Sequence, residues 1–391
     1  MARAKSPLRR VLNARYLRWW ALRLAVRVIP GLGRRLAFFP RAVGLVESAD
    51  TVLVDEHRPI PAEWSPEEAA FLARAGTRDE TAAGYAPDRA VTGDRLVLHT
   101  GAWIDLATGA TLLPSQGATV MARGETANWN ATRARWRASP EPLPGCATAL
   151  VPTGNYFHQI VETGLRIAAL MHRPEMAGRP VTLVHPPPGG EVARALLTVL
   201  ATLPGLSLRE MPAGALVAPD EVLTFFARTN NWEWPDLGPG EVSWLREAFA
   251  TLYGPPEASE ASEPRLYLSR GGAKLRQFTN GAEIEALLGA RGFASFEARD
   301  TNHPEQIARF AAARTIVSIH GAGLTNLIFA APGARVIEIF PANHVKSTYW
   351  WMARQLGLSY RPVIGGAGSY HQHFALDPAV LAAALDEMES P

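Results

Sequence analysis

The chain has 391 residues, 47% of them hydrophobic and 19% charged, enough for two or three domains with cores of their own. High apolar content without a short period excludes a disordered chain, a coiled coil and a collagen-like rod. The formal charge of +2 hides an asymmetry: residues 1–41 hold ten Arg and one Lys, which leaves 28 basic against 37 acidic residues in the rest. A mildly acidic body argues against nucleic acid as a partner. The single cysteine, Cys146, rules out an intrachain disulfide and a cysteine-based metal site, and fits a reducing compartment.

The first predicted element is a helix in the basic arm. Residues 15–29 read RYLRWWALRLAVRVI and are closed by Pro30-Gly31. Leu17, Trp20, Ala21, Leu24 and Val28 share one helical face, and Arg15, Arg18, Arg23 and Arg27 fall on the other. A basic amphipathic helix of this kind suits a membrane interface, where each cation near an anionic leaflet adds roughly 1 kcal/mol. Two other readings stand beside membrane contact: packing on the protein's own domain, and a targeting peptide. Arg18, Arg23 and Arg27 interrupt the apolar core that a secretory signal needs. No later stretch reads as a bilayer span, since Thr315 to Ala334 carries three Gly and Pro332.

Residues 92–122 read as short strands with Gly turns, 155–171 as a helix, 180–184 as a strand, 191–202 as a helix and 215–226 as strands. Together they predict an α/β domain with a β-rich insertion. Residues 255–264, PPEASEASEP, have the composition of a linker. The expected division is an arm over 1–41, a first domain over 42–254, the linker, and a second domain over 265–391.

Beyond the linker, strand and helix alternate. Strands are predicted at Arg265–Ser269, Phe293–Glu297, Thr315–Ile319 and Arg335–Ile339. Between them lie helices over Gly281–Ala290, Pro304–Ala313 and Leu324–Ala330. Asn280 and Glu283 read as a capping box, and Pro332-Gly333 as a stop. This order predicts a right-handed, doubly wound parallel sheet. Helices over Thr348–Leu356 and from Asp377-Pro378 finish the chain.

In such a sheet, ligands bind beyond the carboxyl ends of the strands. That rule selects Ser269-Arg270-Gly271-Gly272-Ala273-Lys274 with Arg276 after the first strand, and His320-Gly321-Ala322-Gly323-Leu324-Thr325-Asn326 after the third. Glycines let a backbone approach a phosphate, and Arg270, Lys274 and Arg276 would neutralise a pyrophosphate. Glu338, in an apolar strand, is suited to accepting hydrogen bonds from ribose hydroxyls. The turn is neither a Walker loop nor a complete Rossmann fingerprint. A second cluster is Asn155-Tyr156-Phe157-His158 with Glu162 one turn on, a carboxylate placed to fix the tautomer of a general base. A partly buried histidine with an ion-pair partner is the plainer reading of that spacing. His371 and His373 alternate in YHQH without a third ligand in view, so no metal site is expected.

These motifs resemble glycosyltransferase family 61, whose bacterial members are often described as capsular polysaccharide biosynthesis proteins. The likeness covers roughly residues 150–345. It rests chiefly on His320-Gly-Ala-Gly-Leu-Thr-Asn326 followed by Val-Ile-Glu338, with NYFH upstream and Ser269-Arg270, Arg276, Asn280 and Glu283 between. The resemblance implies two Rossmann-like domains facing a cleft (GT-B-like) and an inverting, metal-independent hexosyl- or pentosyltransferase with no cofactor beyond its nucleotide-sugar co-substrate. It supports donor contacts from Arg270, Arg276 and His320, and the strand-end rule adds Lys274, Gly321, Gly323, Thr325, Asn326 and Glu338 to the expected donor site. Asn155 and Tyr156 would lie on the acceptor side, with His158 as catalytic base and Glu162 as its orienter. A glycan or lipid-linked glycan would be the acceptor, at a cytoplasmic site peripheral to the inner face of the cell membrane. Domain closure about residues 255–264 would exclude water. The chain departs from the family at Gln159, where an aromatic residue is common, and at Gly271-Gly272, which suggest a mobile loop. A nucleotide-sugar epimerase of the same architecture and a non-catalytic sugar-binding subunit are the alternatives.

Overall fold

The computed structural model describes residues 14–36, 39, 41–56, 58–59, 64–75, 91–92, 94–121, 139–150, 154–226, 237–254 and 264–389. The stretch 255–263, nearly all of the expected linker, and residues 1–13 of the arm lie outside them. Among the described residues two large sheets carry the fold.

The first sheet has a parallel centre. Leu216–Phe226, Glu141–Ala149, Val181–His185 and Leu206–Glu210 lie side by side in that order, each parallel to its neighbour. Helical crossovers at 156–171 and Glu191–Leu200 join strands of this centre, as parallel pairing requires. The apolar runs of Val181–His185 and of Ala147 to Ala149 suit strands covered on both faces. On its other edge, Leu216–Phe226 pairs antiparallel with Arg95–Thr100 and Trp103–Asp105, and short strands from residues 41–121 extend the sheet. The β-rich region therefore precedes the parallel centre in the chain and widens its sheet, rather than being inserted into it.

The second sheet is wholly parallel. Its order is Ala294–Phe296, Arg265–Leu268, Thr315–Ile319, Arg335–Phe340, Ser359–Ile364. In chain sequence that is 2-1-3-4-5, so the winding reverses between the first strand and the third. The four expected strands are present, and Ser359–Ile364 is a fifth that the sequence does not announce. The helices Gly281–Ala290, His303–Ala312, Thr348–Gln355 and Pro378–Glu389 fall within a residue or two of expectation. The segment Ala322–Phe329 is a 3-10 helix rather than an α-helix.

One local expectation fails. Asn280 does not cap the helix it precedes. Its amide instead exchanges two hydrogen bonds with the backbone of Leu376, donating to the carbonyl at 2.8 Å and accepting from the N–H at 3.1 Å, and also donates to Glu283. A distant backbone segment with unpaired polar groups outcompetes the local cap.

A continuous apolar core joins the two sheets. Phe157, Ile160, Leu196, Leu245 and Phe249 from the first half pack in one cluster with Leu266, Phe310, Leu324 and Leu327 from the second. Polar ties cross the same boundary. The Asp300 carboxylate accepts the first N–H groups of the 191–200 helix at 2.7 and 3.2 Å, and Arg246 donates to the carbonyls of Ile328 and Ala330. The helix Pro66–Ala75, early in the chain, packs on the far half through Phe71 against Phe340 and Trp350, with Glu68 paired to Arg354. Rotation about residues 255–264 would have to break these ties.

The helix Ala14–Val28 forms as its periodicity predicts. Trp20 is 59% exposed, Leu24 65% and Val28 70%. Their apolar face is thus largely open to solvent. No described helix is long and apolar enough to cross a membrane.

Candidate active site

The winding reversal in a parallel sheet opens a crevice at the carboxyl ends of the strands on either side. A cavity of about 420 Å³ lies there, walled by Ser269, Arg270, Gly321 and Gly323 from the second half and by Asn155, Tyr156 and Gln159 from the first. Its size is that of a small-ligand site.

Two guanidiniums give this region its charge. Arg270 donates to the Leu275 carbonyl at 3.2 Å, and Arg276 meets His344 Nε2 at 3.0 Å. The Nε of each is buried with no hydrogen-bond partner among the described residues. Burial, reinforced by neighbouring Arg276, pushes Arg270 down to about 10, and burial also lowers Arg276. Adjacent half-buried cations without a paired carboxylate are unfavourable unless an anion joins them. Arg276 occupies this place in the left-handed backbone region, at φ 59°. Gly321 is required for a different reason: the Arg270 guanidinium lies where a Cβ would stand.

His320 directly follows the third strand. Its Nδ1 lies 2.5 Å from Glu338 Oε1, while Tyr360 donates to Glu338 Oε2 at 2.5 Å. Burial pushes the Glu338 carboxyl up to about 8 and holds His320 well below its ordinary value, helped by Arg276, His344, Arg270 and Lys346. Both shifts favour the uncharged forms, in which the Glu338 carboxyl donates to Nδ1 of the imidazole. The ring proton then sits on Nε2, making that nitrogen a donor suited to an anionic oxygen.

His158 belongs to the first half. Asn155 begins its helix, accepting the Phe157 N–H at 2.9 Å. The turn Ile160–Leu165 is a π-helix, a feature that concentrates at functional sites. It places buried Glu162 beneath the ring, with Oε2 at 2.6 Å from His158 Nδ1. A carboxylate there accepts a hydrogen bond from Nδ1–H and leaves Nε2 as an acceptor, unengaged among the described residues. Rings of Phe157 and Tyr349 form a contact chain from His158 to His320.

Residues 156–337 match the sequence model of the family Glycosyltransferase 61. This stretch is a glycosyltransferase family 61 domain. No curated protein matches the chain in a parallel comparison. The matched span contains His158, Arg270, Arg276 and His320 and ends one residue before Glu338. Of the activities that the sequence left open, the domain match supports glycosyl transfer.

Within this glycosyltransferase, several expected donor contacts stand behind the wall rather than on it. Thr325, Asn326 and Glu338 have no exposed surface. Both Glu338 oxygens are engaged, so it reaches a ligand only through His320. Thr325 meets the Tyr349 hydroxyl at 3.4 Å. Asn326 donates to Gln306 and to the Gly323 carbonyl. Lys274 is exposed and is not part of the cavity wall. The Gly271-Gly272 turn is pinned, since the Gly272 N–H donates to Glu297 Oε1 at 3.1 Å.

Tyr156 performs a task that spacing could not reveal. Its hydroxyl donates to Asn326 Oδ1 at 2.6 Å and meets His303 Nε2 at 2.9 Å. His303 Nδ1 in turn faces the Tyr253 hydroxyl at 2.8 Å. This network joins the NYFH helix to the HGAGLTN segment across the boundary between the halves. Burial lowers His303 to about 4, so the ring is neutral. In sequence, His303 is only the residue before the predicted helix Pro304–Ala313.

No group of three or more His, Cys, Asp or Glu stands together as a metal site among the described residues. His373 Nδ1 accepts the Gln277 N–H, and His371 accepts the Arg276 N–H through its carbonyl.

Proposed function

We propose that this glycosyltransferase moves a sugar from a nucleotide-sugar donor to a glycan or lipid-linked glycan acceptor, with inversion and without a metal, in cell-surface polysaccharide synthesis. The halves act as two Rossmann-like domains of GT-B type, a reading supported by the parallel centres of both sheets and the cavity between them. The observation that carries the proposal is the half-buried Arg270 guanidinium on the cavity wall with the half-buried Arg276 as its charged neighbour, the Nε of each without a hydrogen bond among the described residues. Their charge suits the donor diphosphate and stabilises the negative charge that builds on it as the sugar leaves, a task that a metal performs elsewhere. The Nε2–H of His320 adds a donor.

In this mechanism His158 Nε2 takes the proton of an acceptor hydroxyl while Glu162 holds the ring. The hydroxyl oxygen attacks the anomeric carbon on the face opposite the diphosphate. The bond to the diphosphate oxygen breaks in the same displacement, and the nucleoside diphosphate departs. The basic helix, with Trp20, Leu24 and Val28 outward, seats the enzyme on the inner face of the cell membrane, and it should float with anionic but not with neutral vesicles.

The test is calorimetric titration with UDP, GDP, CDP and ADP and their sugars, EDTA present, on the wild type and Arg270→Ala. Binding of one nucleotide that the substitution weakens supports the donor site. Binding that needs a divalent ion, or that Arg270→Ala leaves unchanged, overturns it.

A further inference from the structure

We infer that Glu297 holds the ribose of the nucleotide, the role that the sequence suggests for Glu338. This rests on the donor-site reading above. Glu297 directly follows the second strand of the parallel sheet, whose last residue, Phe296, lies in register with Leu268 of the first. It therefore stands level with Ser269, on the side of the winding reversal away from Gly321. At that position, after the second strand, doubly wound folds carry the acid that binds a ribose hydroxyl. Glu297 lines the same cavity as Arg270 and Gly321. With adjacent strands about 4.8 Å apart, ribose over the second strand puts the diphosphate over the first and third, where the guanidiniums are.

The remaining acids are otherwise committed. Glu338 is wholly buried with both oxygens bonded. Asp300, the other acid on the cavity wall, spends its oxygens on the N–H groups of Glu191 and Val192. Glu297 is aimed but not saturated. Gly272 N–H holds Oε1, and the exposed Arg299 donates to Oε2 at 2.6 Å. A carboxylate oxygen accepts two hydrogen bonds, so each retains a place for a hydroxyl, and an ion pair to an exposed arginine is weak. Gly272 makes room for this arrangement: a Cβ there would stand 2.5 Å from Oε1. The second glycine of the Gly-Gly turn thus has a specific purpose.

The experiment compares UDP, GDP, CDP and ADP with their 2′-deoxy and 3′-deoxy counterparts by calorimetry, on the wild type, Glu297→Ala and Arg299→Ala. In the wild type, loss of a ribose hydroxyl should weaken the best-binding nucleotide roughly tenfold or more. Glu297→Ala should bind ribo- and deoxynucleotide alike, at the weakened level, with an unchanged melting temperature. Arg299→Ala should keep the discrimination. A wild-type ratio of affinities in Glu297→Ala, or no discrimination in the wild type, overturns the assignment while leaving the donor site intact. If no nucleotide binds the wild type, the donor-site reading itself falls, and this assignment with it.

Discussion

The guanidinium of Arg270 lies across the α-carbon of Gly321, in space that any side chain there would need. A strand-end glycine thus sets the position of a cation from a neighbouring strand. Gly321 has an extended φ of 177°, which any residue can adopt, so the requirement is space and not backbone strain. Gly321→Ala should displace Arg270 and weaken nucleoside diphosphate binding roughly 10- to 100-fold, the range for charge-assisted hydrogen bonds. Calorimetry reads the affinity, and a melting curve close to wild type separates displacement from unfolding.

His158→Ala should lower turnover by roughly 10²–10⁴-fold while nucleotide affinity holds. Glu162→Gln should give a smaller loss, because the ring stays in place but its tautomer is no longer imposed. Initial rates beside calorimetric affinities check both. Loss of nucleotide binding in His158→Ala would place this histidine on the donor instead.

The buried Glu338 carboxyl makes stability depend on pH. Its folded value, pushed up to about 8 by burial, exceeds the ordinary 4.5, so the folded protein binds the extra proton. Its contribution is fully present below about 4.5 and is lost as pH rises through about 8. His320, lowered by burial, acts in the opposite sense as pH falls below its ordinary 6.5. Between pH 6.5 and 8.5 the Glu338 effect stands alone, and the wild-type melting temperature should fall. Glu338→Gln can still bond Tyr360 and His320 but has no proton to lose, so its melting temperature should stay level across that window. Parallel slopes in the two proteins would contradict the neutral pair.

Tyr156→Phe removes the hydroxyl between His303 and Asn326. It leaves buried groups on both sides of the boundary without their bond, at a cost of roughly 1–3 kcal/mol. Chemical denaturation should show that loss, and His303→Ala should add little to it, because the two act in one network. Full additivity would mean that the network does not couple the halves.

Much of the fold is legible in the chain itself. Strands such as Thr315–Ile319 are continuous apolar runs, and Gly and Pro mark the ends of their helices; both signals are local. The fifth strand, Ser359–Ile364, escaped because it reads SYRPVI, and Pro362 with two polar residues is tolerated only at a sheet edge. The strand Glu141–Ala149 escaped similarly, since Pro142, Pro144 and Gly145 hide its pattern.

The site divides along the same line. By itself the sequence determined which chemistry gathers at the strand ends, Arg270, Arg276, His320 and Gly321 among it, because strand order and the reversal rule depend on patterns within a few dozen residues. It also paired His158 with Glu162, because helical spacing is local. Depth belongs to the tertiary structure alone. Glu338 faces no ligand because Tyr360 from the fifth strand and His320 close over it. Glu297 stays on the cavity wall because the register of its strand ends it level with Ser269. Tyr156, His303 and Asn326, far apart in the chain, meet only where two cores merge into one. Burial and long-range hydrogen bonding are properties of the packed assembly, and no window along the chain contains them.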